Sequence, residues 1–281
     1  MRGESGTPSP RQLRLGTAGW SYKDWVGAFY PDKTKAADML SHYVRRFNAV
    51  ELDSSFYGVP EERTVDAWCR KVPVGFLFCP KFPQEISHQK FLVNCEDELS
   101  LFLSRLGRLG TALGPMLLQF PYFRRDSGVG LRDFLARLEP FLDGFERAAD
   151  RGMRLVVEVR NKSFLRKPLV ELLRSRSVAL GMIDHPYMPE PDEILEREDL
   201  STCDFSYLRL LGDRYAIERI RRVWDREILD QGWRVDLWTR WIQKNLSKGA
   251  VYVFANNHFA GHAPATMNGI TQRIRAVFGQ R

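Results

Sequence analysis

Eight short runs rich in apolar, β-prone residues punctuate the chain: Leu13–Trp20, Ala49–Phe56, Gly75–Phe82, Pro115–Pro121, Arg154–Asn161, Val178–Asp184, Phe205–Gly212 and Ala250–His258. Between them, apolar residues recur with the 3.6-residue period of a helix face over Ala36–Phe47, Glu61–Lys71, Glu96–Leu113, Leu131–Asp150, Lys167–Arg174, Asp236–Leu246 and Ala265–Phe278. Strands joined by crossover helices imply a parallel sheet, and eight strands close a (β/α)8 barrel of about 250 residues. The expected fold class is therefore α/β, a single TIM-like barrel over residues 13–281 behind a flexible tail, residues 1–12. An open doubly wound sheet is the alternative. It is disfavoured because no G-x-G-x-x-G follows the first strand, where Gly16-Thr17-Ala18-Gly19-Trp20 puts an indole in the place of a dinucleotide phosphate. The weakest stretch is His185–Asp204, acidic, Pro-containing and only faintly helical.

Polar residues interrupt the strands late. The second offers Glu51 and Asp53, two apart and so expected on one face; the third ends in Lys81; the fourth offers Gln119. The fifth offers Glu158 and Arg160, again two apart, the sixth ends in Asp184, the seventh carries Arg209, and the eighth ends in Asn256-Asn257-His258. In a barrel this end of the strands carries the binding loops and the chemistry. Four carboxylates against three cations is close to the neutral sum that a buried paired network needs. The same crowding is how enzymes separate pKa values for acid and base roles. Placement at the loop-bearing end favours the functional reading over a structural plug.

Aromatics flank the same rim. Trp20 and Tyr22 are placed to stack on a base or a sugar, whereas Trp25, Phe29 and Tyr30 read as packing of the first loop. His88, His185, His258 and His262 fall in loops after strands, and His42 in the first helical stretch. A metal would combine His185 or His258 with Glu158 and Asp184. No pair has ligand spacing and three basic side chains share the ring, so no metal is expected, and no cofactor motif is present. Glu51 and Glu158 qualify by type alone as a glycosidase pair. Neighbouring carboxylates would raise the pKa of Lys81, so a salt-bridged or phosphate-holding lysine is expected in place of a Schiff base.

The 281 residues are 44% hydrophobic and 27% charged, which provides for a sizeable core and excludes disorder. A net charge of +7 permits an anionic partner without requiring one. Because the strand-end set is close to neutral, the excess is expected on surface helices and loops, Arg219-Ile220-Arg221-Arg222 among them. Arginine dominates the basic residues, and it matches phosphate and carboxylate bidentately. Cys69, Cys79, Cys95 and Cys203 form no C-x-x-C pair and sit in or beside apolar stretches, so buried, unbridged thiols in a reducing, cytoplasmic setting are expected. Met1 to Gln12 lacks a signal-peptide core, and no apolar run approaches the ~20 residues needed to span a bilayer. No membrane partner is expected.

The run Gly16-Thr17-Ala18-Gly19-Trp20-Ser21-Tyr22, then Trp25-Val26-Gly27 and Phe29-Tyr30-Pro31, resembles the opening of the YecE-like family, domain of unknown function 72. Later blocks are similar too: Val50-Glu51 with Ser54-Ser55-Phe56-Tyr57, Lys81-Phe82 with Ile86-Ser87-His88, and Leu118-Gln119-Phe120-Pro121. Glu158-Val159-Arg160, Asp184 with Pro186, and Asn256-Asn257-His258 with Gly261 and Ala263 continue the likeness in order along nearly the whole chain. The resemblance implies a TIM-like barrel and supplies no reaction. It also marks departures: Asp53 stands where the family pattern has Asn, Asn161 and Phe164 where it has His and Trp, and Leu211 where it has His. A mechanism is therefore expected to rest on carboxylates and guanidiniums.

The leading expectation is an enzyme, a hydrolase, acting on an anionic substrate such as a phosphodiester or phosphorylated compound, with nucleic acid included. Glu51 or Glu158 would act as general base and Asp184 would orient or act as general acid. Lys81, Arg160 and Arg209 would hold the phosphate, and Trp20, Tyr22, Asn256, Asn257 and His258 would position the substrate. A non-catalytic carbohydrate or nucleic-acid binding module and a sugar hydrolase or isomerase are the competing classes.

Overall fold

Each of the eight apolar runs contains a strand in the computed structural model, which describes residues 12–278: β1 (Leu13–Thr17), β2 (Ala49–Leu52), β3 (Leu77–Pro80), β4 (Met116–Gln119), β5 (Leu155–Glu158), β6 (Ala179–Asp184), β7 (Phe205–Leu210) and β8 (Ala250–Ala255). The helices are α1 (Ala36–Tyr43), α2 (Ser54–Tyr57), α3 (Glu62–Cys69), α4 (Glu96–Gly107), α5 (Leu131–Ala148), α6 (Lys167–Ser175), α7 (Pro191–Glu196), α8 (Arg214–Ile220), α9 (Gly232–Leu246) and α10 (Ala263–Phe278). The expected tail lies outside the described residues except for Gln12, whose carbonyl accepts from the Val251 N–H at 2.7 Å.

The α/β class and parallel pairing hold, but the expected closed eight-stranded sheet does not form. Six strands make one sheet in the order β1-β8-β7-β6-β5-β4, and β2 pairs with β3 separately. Two local causes keep the sheet open. Along β1, side chains occupy positions where a neighbouring strand's backbone would bond. The Leu15 N–H donates to Asn48 Oδ1 at 2.8 Å, and Asn48 Nδ2 donates to the Leu13 carbonyl at 2.9 Å. The Tyr43 hydroxyl accepts from the Thr17 N–H at 2.8 Å and reaches the Ala49 carbonyl at 3.1 Å. Gly16 permits this close approach, since a Cβ there would stand 2.0 Å from the Ala49 carbonyl oxygen.

Between β3 and β4 only isolated bridges form, Phe78 with Leu113 and Lys81 with Leu117. Three steps on one strand are matched by four on the other, so one residue is left over and the ladder breaks as at a bulge.

The chain divides into two compact units. The first comprises Met1–Val50, Met182–Glu198 and Asp204–Arg281, and the second Glu51–Gly181 and Asp199–Cys203. In the first, β1, β8 and β7 run parallel in register, and α9 and α10 contribute the buried Trp238, Ile242, Met267 and Ile270. In the second, β4 and β5 pair in parallel, and α5 turns Phe134, Leu138, Phe141, Leu142 and Phe145 to one buried face at helical spacing. Phe134 meets Phe120 edge-on at 4.8 Å, and Phe82 meets Phe102 at 4.5 Å, which fixes the residues that leave β3 and β4.

All four cysteines are unbridged. Cys79 and Cys95 are buried as expected, but Cys69 and Cys203 are half-buried, because each lies at the edge of its apolar stretch. Among the described residues, no helix is long and apolar enough to cross a membrane.

Replacing Tyr43 by Phe strands a buried backbone donor and is expected to cost about 2 kcal/mol in urea denaturation, with Asn48→Ala similar. Unchanged midpoints in both variants would refute the side-chain seam beside β1.

Candidate functional site

Glu51, Lys81, Gln119, Glu158 and Arg160 lie in the second unit; Trp20, Tyr22, Asp184, Arg209, Asn256, Asn257 and His258 lie in the first. The second unit holds the denser polar group. Glu51 and Glu158 are fully buried at the ends of β2 and β5. Glu158 Oε1 accepts from Arg160 Nε at 3.2 Å, so the two-residue spacing does put this pair on one side of the chain. Asp53 departs from the same logic. The strand stops at Leu52 and Asp53 already has helical angles at the start of α2, so alternation does not carry to it. Gln119 is buried and donates from Nε2 to the Phe120 carbonyl at 2.8 Å.

Lys81 is 8% exposed, and its ammonium is compensated by the Asp53 carboxylate at 3.6 Å and by the face of the Phe56 ring, 4.0 Å from its centroid, among its contacts. Its backbone is held as well. The buried Ser55 hydroxyl accepts from the Lys81 N–H at 2.9 Å and reaches the carbonyls of Leu52 and Lys81, each at 2.7 Å. Ser55 thus links the exits of β2 and β3. Nothing in the periodicity marks this serine; only its place in the Ser54-Ser55-Phe56-Tyr57 block draws notice.

His88 completes the group. A π-helical turn, Glu85–Gln89, carries it, with Ile86 and Ser87 buried beneath. Its ring meets Phe56 edge-on at 5.0 Å, and Ser87 Oγ lies 2.8 Å from its Nδ1. Burial, then the charges of Lys81 and Arg160, push the imidazole pKa down to about 4 against a weaker opposing pull from Glu158. The ring is therefore neutral at pH 7 and can take up a proton. Immediately after this turn Phe91, Leu92 and Asn94 all adopt positive φ, which non-glycine residues do at a cost. Leu92 N–H bonded to the Ile86 carbonyl at 2.9 Å, and Phe91 packed against Phe123 at 5.0 Å, hold the segment there.

Asn161 accepts from the Phe123 N–H at 2.9 Å and donates to the Phe123 carbonyl at 2.8 Å. This clasps the loop after β4 to the loop after β5. Phe164 stacks on Phe123 with centroids 6.0 Å apart.

In the first unit, Asp184 Oδ2 accepts from Arg234 Nε at 2.8 Å and from Trp238 Nε1 at 2.6 Å, and Arg234 also reaches Glu190 at 2.7 Å. Burial works against the Arg234 charge, but the bonds to Asp184 and Glu190 overcome it and raise its pKa. Asn257 Oδ1 accepts from Trp25 Nε1 at 3.2 Å and the Ala263 N–H at 3.0 Å, tying the first loop to the start of α10. His258 Nε2 lies 3.2 Å from Glu218 Oε1, which Arg214 also engages at 2.7 Å, and Asn256 Oδ1 accepts from the His258 N–H. The Tyr22 hydroxyl donates to the Ala18 carbonyl at 2.7 Å and its ring packs 4.6 Å from Trp25; the Trp20 carbonyl accepts from Tyr30. Arg209 is buried within β7, and Leu211 donates its N–H to the Asp184 carbonyl at 3.1 Å. Among the described residues, no three His, Cys, Asp or Glu side chains gather as metal ligands would.

A sequence model of the family described as "Protein of unknown function DUF72" matches residues 14–280. The chain is 33% identical over 155 residues to the UPF0759 protein YecE of Escherichia coli (strain K12), 55% of this chain and 51% of that protein, so the match spans about half the length of this curated relative. A solved DUF72 family protein from Thermotoga maritima superposes with a TM-score of 0.71 at 23% identity, covering 94% of this chain and 99% of that one. More distant folds of TIM-barrel type also superpose. An AP endonuclease, family 2, from Brucella melitensis gives 0.55 at 8% identity over 93% and 98% of the two chains. A xylanase, Xyn10A, from Cellvibrio japonicus gives 0.53 at 11% identity over 93% and 97%. These likenesses show the fold.

The His88 imidazole is expected to titrate with a midpoint of about 4 by NMR. Lys81→Met should move it upward toward the ordinary histidine value near 6.5, and an unmoved midpoint would separate the two groups. Because the unfolded chain takes up this proton more readily than the native one, His88 makes the fold less stable as pH falls from about 6.5 to about 4, and His88→Gln should remove that part of the acid sensitivity. Arg234→Ala removes the cation from buried Asp184 and is expected to cost about 3 kcal/mol in thermal unfolding, with Arg234→Lys recovering part of it.

Proposed function

The chain belongs to the DUF72 family, and from that premise we propose that the strand-end group of its second unit binds and hydrolyses a phosphate-bearing substrate, a phosphodiester or phosphorylated compound. One observation carries the reading: an imidazole kept neutral chiefly by burial lies within the field of a buried lysine and an arginine, which add to the same effect. Two cations beside a neutral base is the combination that phosphoryl transfer asks of a site without help from the substrate. Lys81 and Arg160 offset the negative charge on the phosphoryl oxygens, and Arg160 can do so through a planar fork. Neutral His88 accepts the proton of the attacking water or hydroxyl, which a protonated imidazole could not do.

Glu158 fixes the direction of Arg160 through the 3.2 Å contact, and Asp53 offsets part of the Lys81 charge. Glu51 is the other buried carboxylate of this unit. Asp184 enters as the anchor of Arg234, and Asn257 as the anchor of the Trp25 loop. Solved proteins that share the fold include one named an AP endonuclease and one named a xylanase; paired cations support a charged substrate over a neutral sugar.

The test is a panel of chromogenic phosphomonoesters and phosphodiesters, read alongside binding of inorganic phosphate by calorimetry. Arg160→Met and Lys81→Met should each lower kcat/KM about 100-fold and weaken phosphate binding. His88→Gln should lower kcat by about 100-fold and leave phosphate binding intact. The wild-type rate should fall at low pH with a midpoint near the His88 value of about 4. Phosphate binding untouched by loss of either cation, in variants with native circular dichroism, would overturn the reading.

A further inference from the structure

The loops that follow β4 and β5 enclose a second feature, a groove of about 520 Å³. Arg124, Arg125 and Arg166 line it together with Phe123, Asn161 and Phe164. Among the described residues, the side chains of Arg125 and Arg166 make no ion pair or hydrogen bond, and Arg124 has only a long, exposed contact to Asp126 at 3.7 Å. Other arginines of this unit pair with carboxylates, Arg108 with Asp66 at 2.6 Å, Arg160 with Glu158, and Arg176 with Asp143, while Arg70, Arg132, Arg147 and Arg151 stand exposed and apart. The groove differs in bringing three guanidiniums to one concave surface beside aromatic rings. Asp133 is the acidic lining residue, and its carboxylate already accepts the Gly130 N–H at 2.9 Å.

The groove is also aromatic. Half-buried Phe123 stacks on Phe164, and the adjoining Tyr122 is 44% exposed. Cations interleaved with aromatic faces suit an unpaired base stacked on a ring with phosphates on either side. A duplex hides its base faces and cannot use the rings. The groove also abuts the proposed phosphate site. Arg160 and Asn161 are consecutive and Asn161 is extended, with φ −107° and ψ 109°, so their side chains leave the chain on opposite sides. One serves the His88 group and the other the groove.

We propose that Arg125, Arg166 and Phe123 form a subsite for the flanking nucleotides of a single-stranded nucleic acid whose reacting phosphate is held by Lys81 and Arg160. This rests on the phosphate reading of the strand-end group and narrows its substrate from a lone phosphorylated metabolite to a strand.

The experiment uses the full chain and fluorescence anisotropy with labelled 12-nucleotide oligothymidylate and oligouridylate, a 12-base-pair DNA duplex, and calorimetry with inorganic phosphate. The two single strands separate DNA from RNA. Either or both should bind, more tightly than the duplex. The double substitution Arg125→Ala with Arg166→Ala should weaken strand binding about tenfold and reduce the salt slope of log K by about 1.4, the loss of two phosphate contacts, while inorganic phosphate binds as before. Arg125→Lys with Arg166→Lys should restore most of the slope, which excludes a folding defect. Strand affinity and slope unmoved by the double alanine change would overturn the subsite and leave the phosphate reading standing. Duplex binding as tight as single-strand binding would also overturn it. Phosphate binding that ignores Lys81→Met would instead overturn the underlying reading.

Discussion

Burying an ammonium group removes its hydration, and the second unit is arranged around what replaces it. Lys81 has a carboxylate on one side, an aromatic face on another, and a serine that fixes its backbone to the exit of β2. Each partner recruits the next. Phe56, which receives the ammonium, also meets His88; the Lys81 charge, added to burial, keeps that histidine neutral; and Arg160 adds to the same field while Glu158 restrains it. The arrangement of the group thus follows from solvation: a cation that cannot be hydrated has to be surrounded, and its surroundings contain a neutral imidazole.

The eight strands are legible because an apolar run of four to six residues between helical stretches has few other interpretations, and the pairing of Glu158 with Arg160 is legible because a two-residue spacing survives the end of β5. Closure is not legible. Whether β1 continues a ladder depends on Asn48 and Tyr43 reaching its backbone, and nothing in the hydrophobic period distinguishes them from surface polar residues. The leftover residue between β3 and β4 is equally silent, since both strands look alike on either register. Asp53 misleads because α2 begins one residue later, and Arg234 escapes because α9 starts four residues before its apolar repeat becomes visible at Asp236. His88 draws notice only as a loop histidine; its neutrality depends on groups from three separate segments.

The open seams and the site are related within the second unit. At the bulge between β3 and β4, Lys81 is the last bridged residue of its strand, and the chain is then free to turn into the π-helical segment that carries His88. A continuous ladder would keep the following residues extended and point alternate side chains away from the group. Strain appears directly afterwards, in three left-handed residues that aromatic packing holds in place.

The Asn161 clasp has a mechanical meaning. Two hydrogen bonds to one backbone residue make a side-chain amide behave as a single rung of a sheet, so the loops after β4 and β5 move as one body. Arg125 stands on one of those loops and Arg166 follows the other, so the spacing between them is set when the protein folds. A histidine, with a donor and an acceptor on opposite sides of its ring, could not make both bonds to the backbone of one residue. The asparagine acts as a ruler, and any ligand that spans the two loops meets a distance already fixed and is spared the entropy of fixing it.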